Sequence, residues 1–220
     1  MSDIQVTLAD GRAITCADGT EVGSLAGRMR SPDDLPFIAA LVNNDVASLS
    51  YPLTVDSDVR FLTMADAHGA RVYCRSLCFL LAKAVHDLFP AASFSVEHSL
   101  GTGLYFTFSS DPGGRRGIRE EELAAIDGRL RELIDRNVPI ARRKISFTAA
   151  VRQFEQAGQV HKLHLLKYRN PPRVVIYECE GFFDLAHGPL ATRAGTLDRF
   201  QLIHYPPGFV LLLPDLATPR

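Results

Sequence analysis

Nowhere in these 220 residues does an apolar run approach the roughly 20 residues that span a bilayer. The opening Met-Ser-Asp-Ile-Gln-Val-Thr has neither the basic segment nor the apolar stretch of a secretory signal, so a cytoplasmic location is the expectation. Charge of one sign is missing as well. Lys and Arg total 24 against 25 Asp and Glu, a net charge of −1, so no global basic field advertises nucleic acid. An RNA-binding surface would have to be a local patch. Cysteine is sparse, and Cys16, Cys74, Cys78 and Cys179 form no Cys-x-x-Cys pair. Cys74 and Cys78 stand four apart in a helical stripe continued by Leu81, Val85 and Leu88, which reads as core packing. Half of a zinc site is the alternative, but such a site usually takes four ligands and no second pair is evident. No internal repeat is present. No Gly-x-x-x-x-Gly-Lys-Ser/Thr phosphate loop occurs either: Gly101-Thr-Gly103 and Gly113-Gly114 lack the following Lys-Ser/Thr.

The composition, 46% hydrophobic and 22% charged, is that of a folded chain of one or two domains. Ile4–Leu8 and Arg12–Cys16 flank Ala-Asp-Gly and read as a hairpin. Thr20 is placed to cap a short helix through Val22, Leu25, Ala26 and Met29. A strand over Phe37–Asn43, a turn at Asn44–Asp45 and a strand over Asp58–Met64 complete a compact β-grasp over residues 1–65. The polar Ala65–Ala70 reads as a connector and hinge. Beyond it, residues 66–220 read as α+β, an antiparallel sheet with helices packed on it. Apolar spacing gives helices over Arg71–Phe89 and Glu120–Asn137, and Thr148 is placed to cap one over Ala149–Gln156. A short helix over Val160–Tyr168 follows, with strands at Phe94–Glu97, Leu104–Phe108, Arg173–Glu178, Gly181–Leu185, Phe200–Tyr205 and Phe209–Leu213. Asp111–Gly117 is a loop dense in turn formers.

Several strings carry a resemblance. Leu-Ala-Asp-Gly, Asp-Gly-Thr, Leu-Val-Asn and Asp-Val-Arg-Phe-Leu-Thr, in that order, resemble the TGS domain. Tyr73–Pro90 is similar to the helix that opens the editing domain of threonyl-tRNA synthetases, a fold shared with the alanyl enzymes. That family carries His-x-x-x-His on this helix and Cys-x-x-x-His around a later Gly-Pro. The corresponding positions here are Arg75, Phe79, Ala186 and Leu190, so the resemblance implies the scaffold without its metal and editing signature. No metal and no cofactor are expected.

The strings Arg75–Val85, Glu97–Tyr105, Leu165–Arg169, Gly181–Asp184 and His204–Phe209 resemble the N-terminal half of bacterial uridine-type nucleoside kinases. That resemblance implies a non-catalytic, regulatory ligand- or RNA-binding module with a kinase domain in cis. The alternatives are an aminoacyl-tRNA editing hydrolase with a rearranged site, built on Lys162, Asp184, His187 and His98, and a dimerisation or docking platform. Lys162 and Asp184 occupy two further polar positions of the synthetase pocket. A buried Asp is costly unless paired, which suggests a cluster of Arg75, Lys162 and Asp184. The expected ligand, a nucleotide, nucleoside or tRNA end, would lie between Arg75, Phe79 and the loop carrying His98, Ser99, Gly101, Gly103 and Tyr105. Arg115–Arg116, Arg142–Lys144, Lys162, Lys167, Arg169 and Arg173 are the candidates for a basic strip, with solvated charges as the bland reading. A homo-oligomer is an open expectation, and a membrane partner is not expected.

Overall fold

In the computed structural model, the described residues are 3–111, 116–167 and 172–214. The chain is α+β. Its first part holds β1 (Asp3–Leu8), β2 (Ala13–Ala17), β3 (Thr20–Glu21), β4 (Ala39–Val42), β5 (Asp45–Ser48), β6 (Pro52–Leu53) and β7 (Ser57–Leu62). The main sheet runs in the order β2-β1-β7-β4-β5, parallel only between β1 and β7. Alternation explains its one-sided burial: Ile4, Val6 and Leu8 of β1 face a core shared with Val22, Leu25, Leu53, Val59 and Phe61. The β4–β5 turn falls at Asn43–Asn44, one residue before the sequence expectation. Both Asn sit at positive φ (50° and 69°), as a tight hairpin turn requires.

Thr20 does not cap the short helix. It lies in β3, and its hydroxyl donates to the Ala17 carbonyl, while the segment Val22–Arg28 is a 3-10 helix without a side-chain cap.

The expected connector is already helical. The first helix, α1 (Ala67–Leu88), begins four residues earlier than the apolar spacing predicts, because Asp66 caps it by accepting from the His68 amide. Gly69 lets that first turn lie against β7, since a Cβ there would come 1.8 Å from the Thr63 carbonyl oxygen. Leu35, Ile38, Leu62 and Met64 accordingly share one core with Val72, Leu77, Leu80 and Leu81 of α1.

After α1 come β8 (Ser93–Leu100), β9 (Gly103–Ser109), α2 (Glu120–Asp135), β10 (Ala141–Ser146), α3 (Phe147–Gln156) and α4 (Val160–Lys167). The strands β11 (Arg173–Cys179), β12 (Phe182–Leu185), β13 (Gln201–Tyr205) and β14 (Gly208–Leu212) follow. Two antiparallel sheets result, one in the order β10-β11-β12 and one in the order β13-β14-β9-β8. The cap of α3 is Ser146, accepting from the Ala149 amide, rather than Thr148. Strand β10 is hidden in the sequence by its charges. Its register sets Arg142 against Tyr177 and Arg143 against Ile176, so the basic run splits over both sheet faces instead of forming a strip. Arg115 and Arg169 of that expected strip, and Gly113–Gly114, lie outside the described residues.

Strand β8 is an edge. All of it except Phe94 is exposed, and its pairing with β9 shifts register between Val96 and His98. No helix among the described residues is long and apolar enough to cross a membrane.

Candidate functional site

The sheet β10–β12 organises the expected site. One face carries Val174, Ile176, Phe183 and Leu185, packed against Ala150, Phe154 and Leu166 of α3 and α4. Cross-strand register puts Arg142, Tyr177 and Asp184 in one row on the other face, with Ala186 two residues beyond Asp184.

The four signature positions separate. Phe79 is 5% exposed, with its ring 5.4 Å from that of Phe182, and Leu190 is fully buried. Phe79 therefore fills the interior and is not available to stack on a ligand, a correction to the sequence expectation. An apolar residue on this face of α1 is drawn into the core, where Phe182 packs against it and Leu80 and Leu190 are buried in the same cluster. Ala186 lies on the surface of a cleft. Arg75 is half-buried, and its Nε is buried with no hydrogen-bond partner. Its guanidinium lies flat on Gly188, where a Cβ would stand 2.8 Å from one terminal nitrogen. Burial depresses the Arg75 pKa, opposed by its attraction to Tyr177. Neither Arg75 nor Arg142 forms an ion pair among the described residues.

Tyr177 lies between these two cations. Its hydroxyl accepts from the Leu190 amide at 3.2 Å. Burial pushes its pKa up, and the Leu190 amide and the charges of Arg142 and Arg75 pull the other way. The segment after β12 is fixed further by Ser76, whose hydroxyl accepts from the Ala191 amide at 2.8 Å, and by Ser48, whose hydroxyl donates to the Leu190 carbonyl.

Lys162 and Asp184 do meet, as an ion pair in which both side chains are mostly buried. The Asp184 carboxylate also accepts from the Leu185 amide. Arg75 is not among the ion-pair partners of Asp184, so the expected three-residue cluster is a pair with a separate cation. His187 is exposed on the bend after β12.

The expected glycine loop belongs elsewhere. His98, Ser99 and Tyr105 sit on the β8–β9 hairpin of the other antiparallel sheet, with His98 exposed and its ring 5.2 Å from that of Tyr105. Gly101 turns the hairpin at φ 59°. Gly103 is buried, and a Cβ on it would meet Val210 at 2.7 Å. Both glycines therefore serve the turn and its packing. Thr102 at the tip contributes to a separate, mostly apolar cavity of about 420 Å³ beside Arg71 and Cys74. Cys74 and Cys78 are hydrogen-bonded to each other, which lowers the Cys74 pKa and raises that of Cys78. No group of three or more His, Cys, Asp or Glu converges among the described residues, and Ala186 and Leu190 offer no ligand atoms.

Sequence reasoning missed the cleft itself. It has a volume of about 450 Å³ and lies between the β4–β7 segment and the β10–β12 sheet, with Arg142, Tyr177, Ala186 and Gly188 on one wall. Asp45, Ser48 and Tyr51 stand on the other. The one available signal was Arg142 alternating with Arg143 ahead of the Ser146 cap, a strand pattern written in basic residues.

No family model matches the chain. Among individual proteins it is similar to the threonine–tRNA ligase of Acidovorax sp. (strain JS42), 32% identical over 201 residues. The enzymes of Porphyromonas gingivalis and Pelobacter propionicus are 28% identical over 200 residues and 29% over 203. These matches take in 91–92% of this chain but only 30–31% of each ligase. The expected nucleoside-kinase setting finds no support in these relatives. What they show is a chain related to a segment, about a third in length, of threonine–tRNA ligases.

Proposed function

We propose that the chain is a tRNA acceptor-end domain of the synthetase-editing type, with a β-grasp of the TGS kind over residues 1–65 and an editing-type scaffold over 66–220. The sheet order β2-β1-β7-β4-β5 with its parallel centre supports the first assignment, and the ligase relatives support the second. The observation that carries the reading is the unpaired Arg75 guanidinium at the first signature position, beside Tyr177 on the sheet face that also bears Asp184. A permanent cation with free donors at that place suits a phosphate or an aminoacyl ester carbonyl at the end of a tRNA.

Binding without turnover is the expected behaviour. Phe79 and Leu190 fill two of the positions where the resemblance would put chemistry, and Asp184 is held by Lys162 rather than poised beside a nucleophile. The survival of the Lys162–Asp184 pair next to Ala186 favours one second reading, slow hydrolysis from a rearranged site. Filter binding of aminoacylated tRNA, with deacylation of mischarged tRNA followed in parallel, separates the two. Binding weakened about tenfold in Arg75→Ala, with deacylation at the buffer rate, supports the first; tenfold corresponds to about 1.4 kcal/mol. Deacylation lost in both Lys162→Ala and Asp184→Asn installs the second. No binding of any tRNA removes both.

A further inference from the structure

We propose that the 450 Å³ cleft between the β4–β7 segment and the β10–β12 sheet is a nucleotide site, taking a phosphate on Arg142 and a sugar and base on Asp45 and Tyr51. The inference deepens the acceptor-end reading by adding a second wall, from the other half of the chain, that the synthetase resemblance does not call on.

The chemistry of each wall supports the assignment. On the sheet wall, Arg142 stands opposite Tyr177 in the ladder without a carboxylate partner among the described residues. Behind Gly188 lies a second unpaired guanidinium, that of Arg75. Two cations without a carboxylate partner beside one tyrosine are costly, since Arg75 is partly desolvated with its Nε unpaired, and Arg142 has only the neutral Tyr177 hydroxyl. An anion between the walls removes that cost. Guanidinium donors match phosphate oxygens two at a time.

On the facing wall three of the polar groups are occupied. Asn43 accepts from the Asp58 amide, Ser57 donates to the Val55 carbonyl, and Ser48 donates to the Leu190 carbonyl. The side chains of Asp45 and Tyr51 make no hydrogen bond or ion pair among the described residues, and both are exposed and line the cleft. A carboxylate accepting from vicinal hydroxyls and a tyrosine face for a flat ring are the groups a ribonucleoside needs. The volume falls within the roughly 300–1,000 Å³ of small-molecule sites.

The same chemistry comes from a free nucleoside monophosphate or from the terminal nucleotide of a tRNA, and the test has an arm for each. Calorimetric titration of the full chain uses AMP, UMP, adenosine and inorganic phosphate; filter binding uses tRNA with and without its 3′-terminal nucleotide. The site predicts that either a monophosphate or the intact tRNA binds at least tenfold tighter than adenosine or the trimmed tRNA. That preference should fall about tenfold in Arg142→Gln and in Asp45→Asn, with unchanged melting temperatures. Tyr51→Ala, at an exposed position, is the substitute should either variant melt early. Monophosphate binding without tRNA binding supports the cleft and overturns the acceptor-end reading alone. Affinity that is absent for every probe, or indifferent to all three substitutions, overturns the cleft.

Discussion

Ser76 shows how much one hydroxyl can do in a fully buried position. It donates to the Val72 carbonyl one turn back in α1 and accepts from the Ala191 amide, so it ties the helix to the segment that carries Gly188 and Leu190. Replacing it with alanine leaves a buried N–H without a partner, at a cost of about 1–3 kcal/mol. Thermal melting of Ser76→Ala should drop by roughly 2–12 °C for a chain of this size. Because the tether positions the loop on which Arg75 rests, nucleotide or tRNA affinity should fall with it. A variant that melts like the parent would show that Ala191 finds another acceptor.

Helix α2 is held at its start by one carboxylate. Glu122, buried in the first turn, accepts from the Arg119 amide and side chain, from Ser110 at 2.7 Å and from Arg116 at 2.9 Å. Burial alone would raise its pKa, but these donors outweigh it and bring the value down to about 2 from the ordinary 4.5. A depressed folded-state pKa stabilises the fold above the unfolded value, and that stability is lost as pH falls. Stability should therefore decline between pH 4.5 and 2 more steeply in the parent than in Glu122→Gln, a difference that denaturant titration at pH 6, 4 and 2.5 reads directly. Equal slopes would mean the carboxylate is not paired in the folded protein.

The long amphipathic helices α1 and α2 were legible in sequence because their apolar stripes are unbroken. Less was legible where two residues compete for one role. Ser146 and Thr148 both suit a cap, and the strand register of β10 decides for Ser146. The sequence suggests that Arg75 and Asp184 share a charged cluster, whereas the structure pairs Asp184 with Lys162 and leaves Arg75 apart. Their failure to meet depends on side-chain reach across a sheet, which spacing along the chain does not encode.

At the scale of the whole molecule, apolar packing crosses the expected hinge. Leu35, Ile38, Leu62 and Met64 lie in the same core as α1, and Ser48 reaches across to the Leu190 carbonyl. Elements that bury one another's apolar surface unfold together. Scanning calorimetry should give one transition, with its calorimetric enthalpy equal to the van't Hoff value. Two transitions separated by more than a few degrees would establish independent halves instead. One transition would also mean that ligand binding in the cleft raises the stability of both halves together.

The open edge of β8 bears on how the protein behaves when crowded with copies of itself. Eight residues of backbone at the margin of a sheet are an invitation to a neighbouring molecule's strand. The register shift between Val96 and His98 interrupts the even spacing of amide and carbonyl that such a strand would need, and it falls beside an anionic side chain, Glu97, held outward by Thr107. Two copies meeting edge to edge would bring those carboxylates together where the ladders fail to match. The irregularity thus works as a guard, keeping the exposed Val96 and Leu100 of this edge from seeding fibrous association.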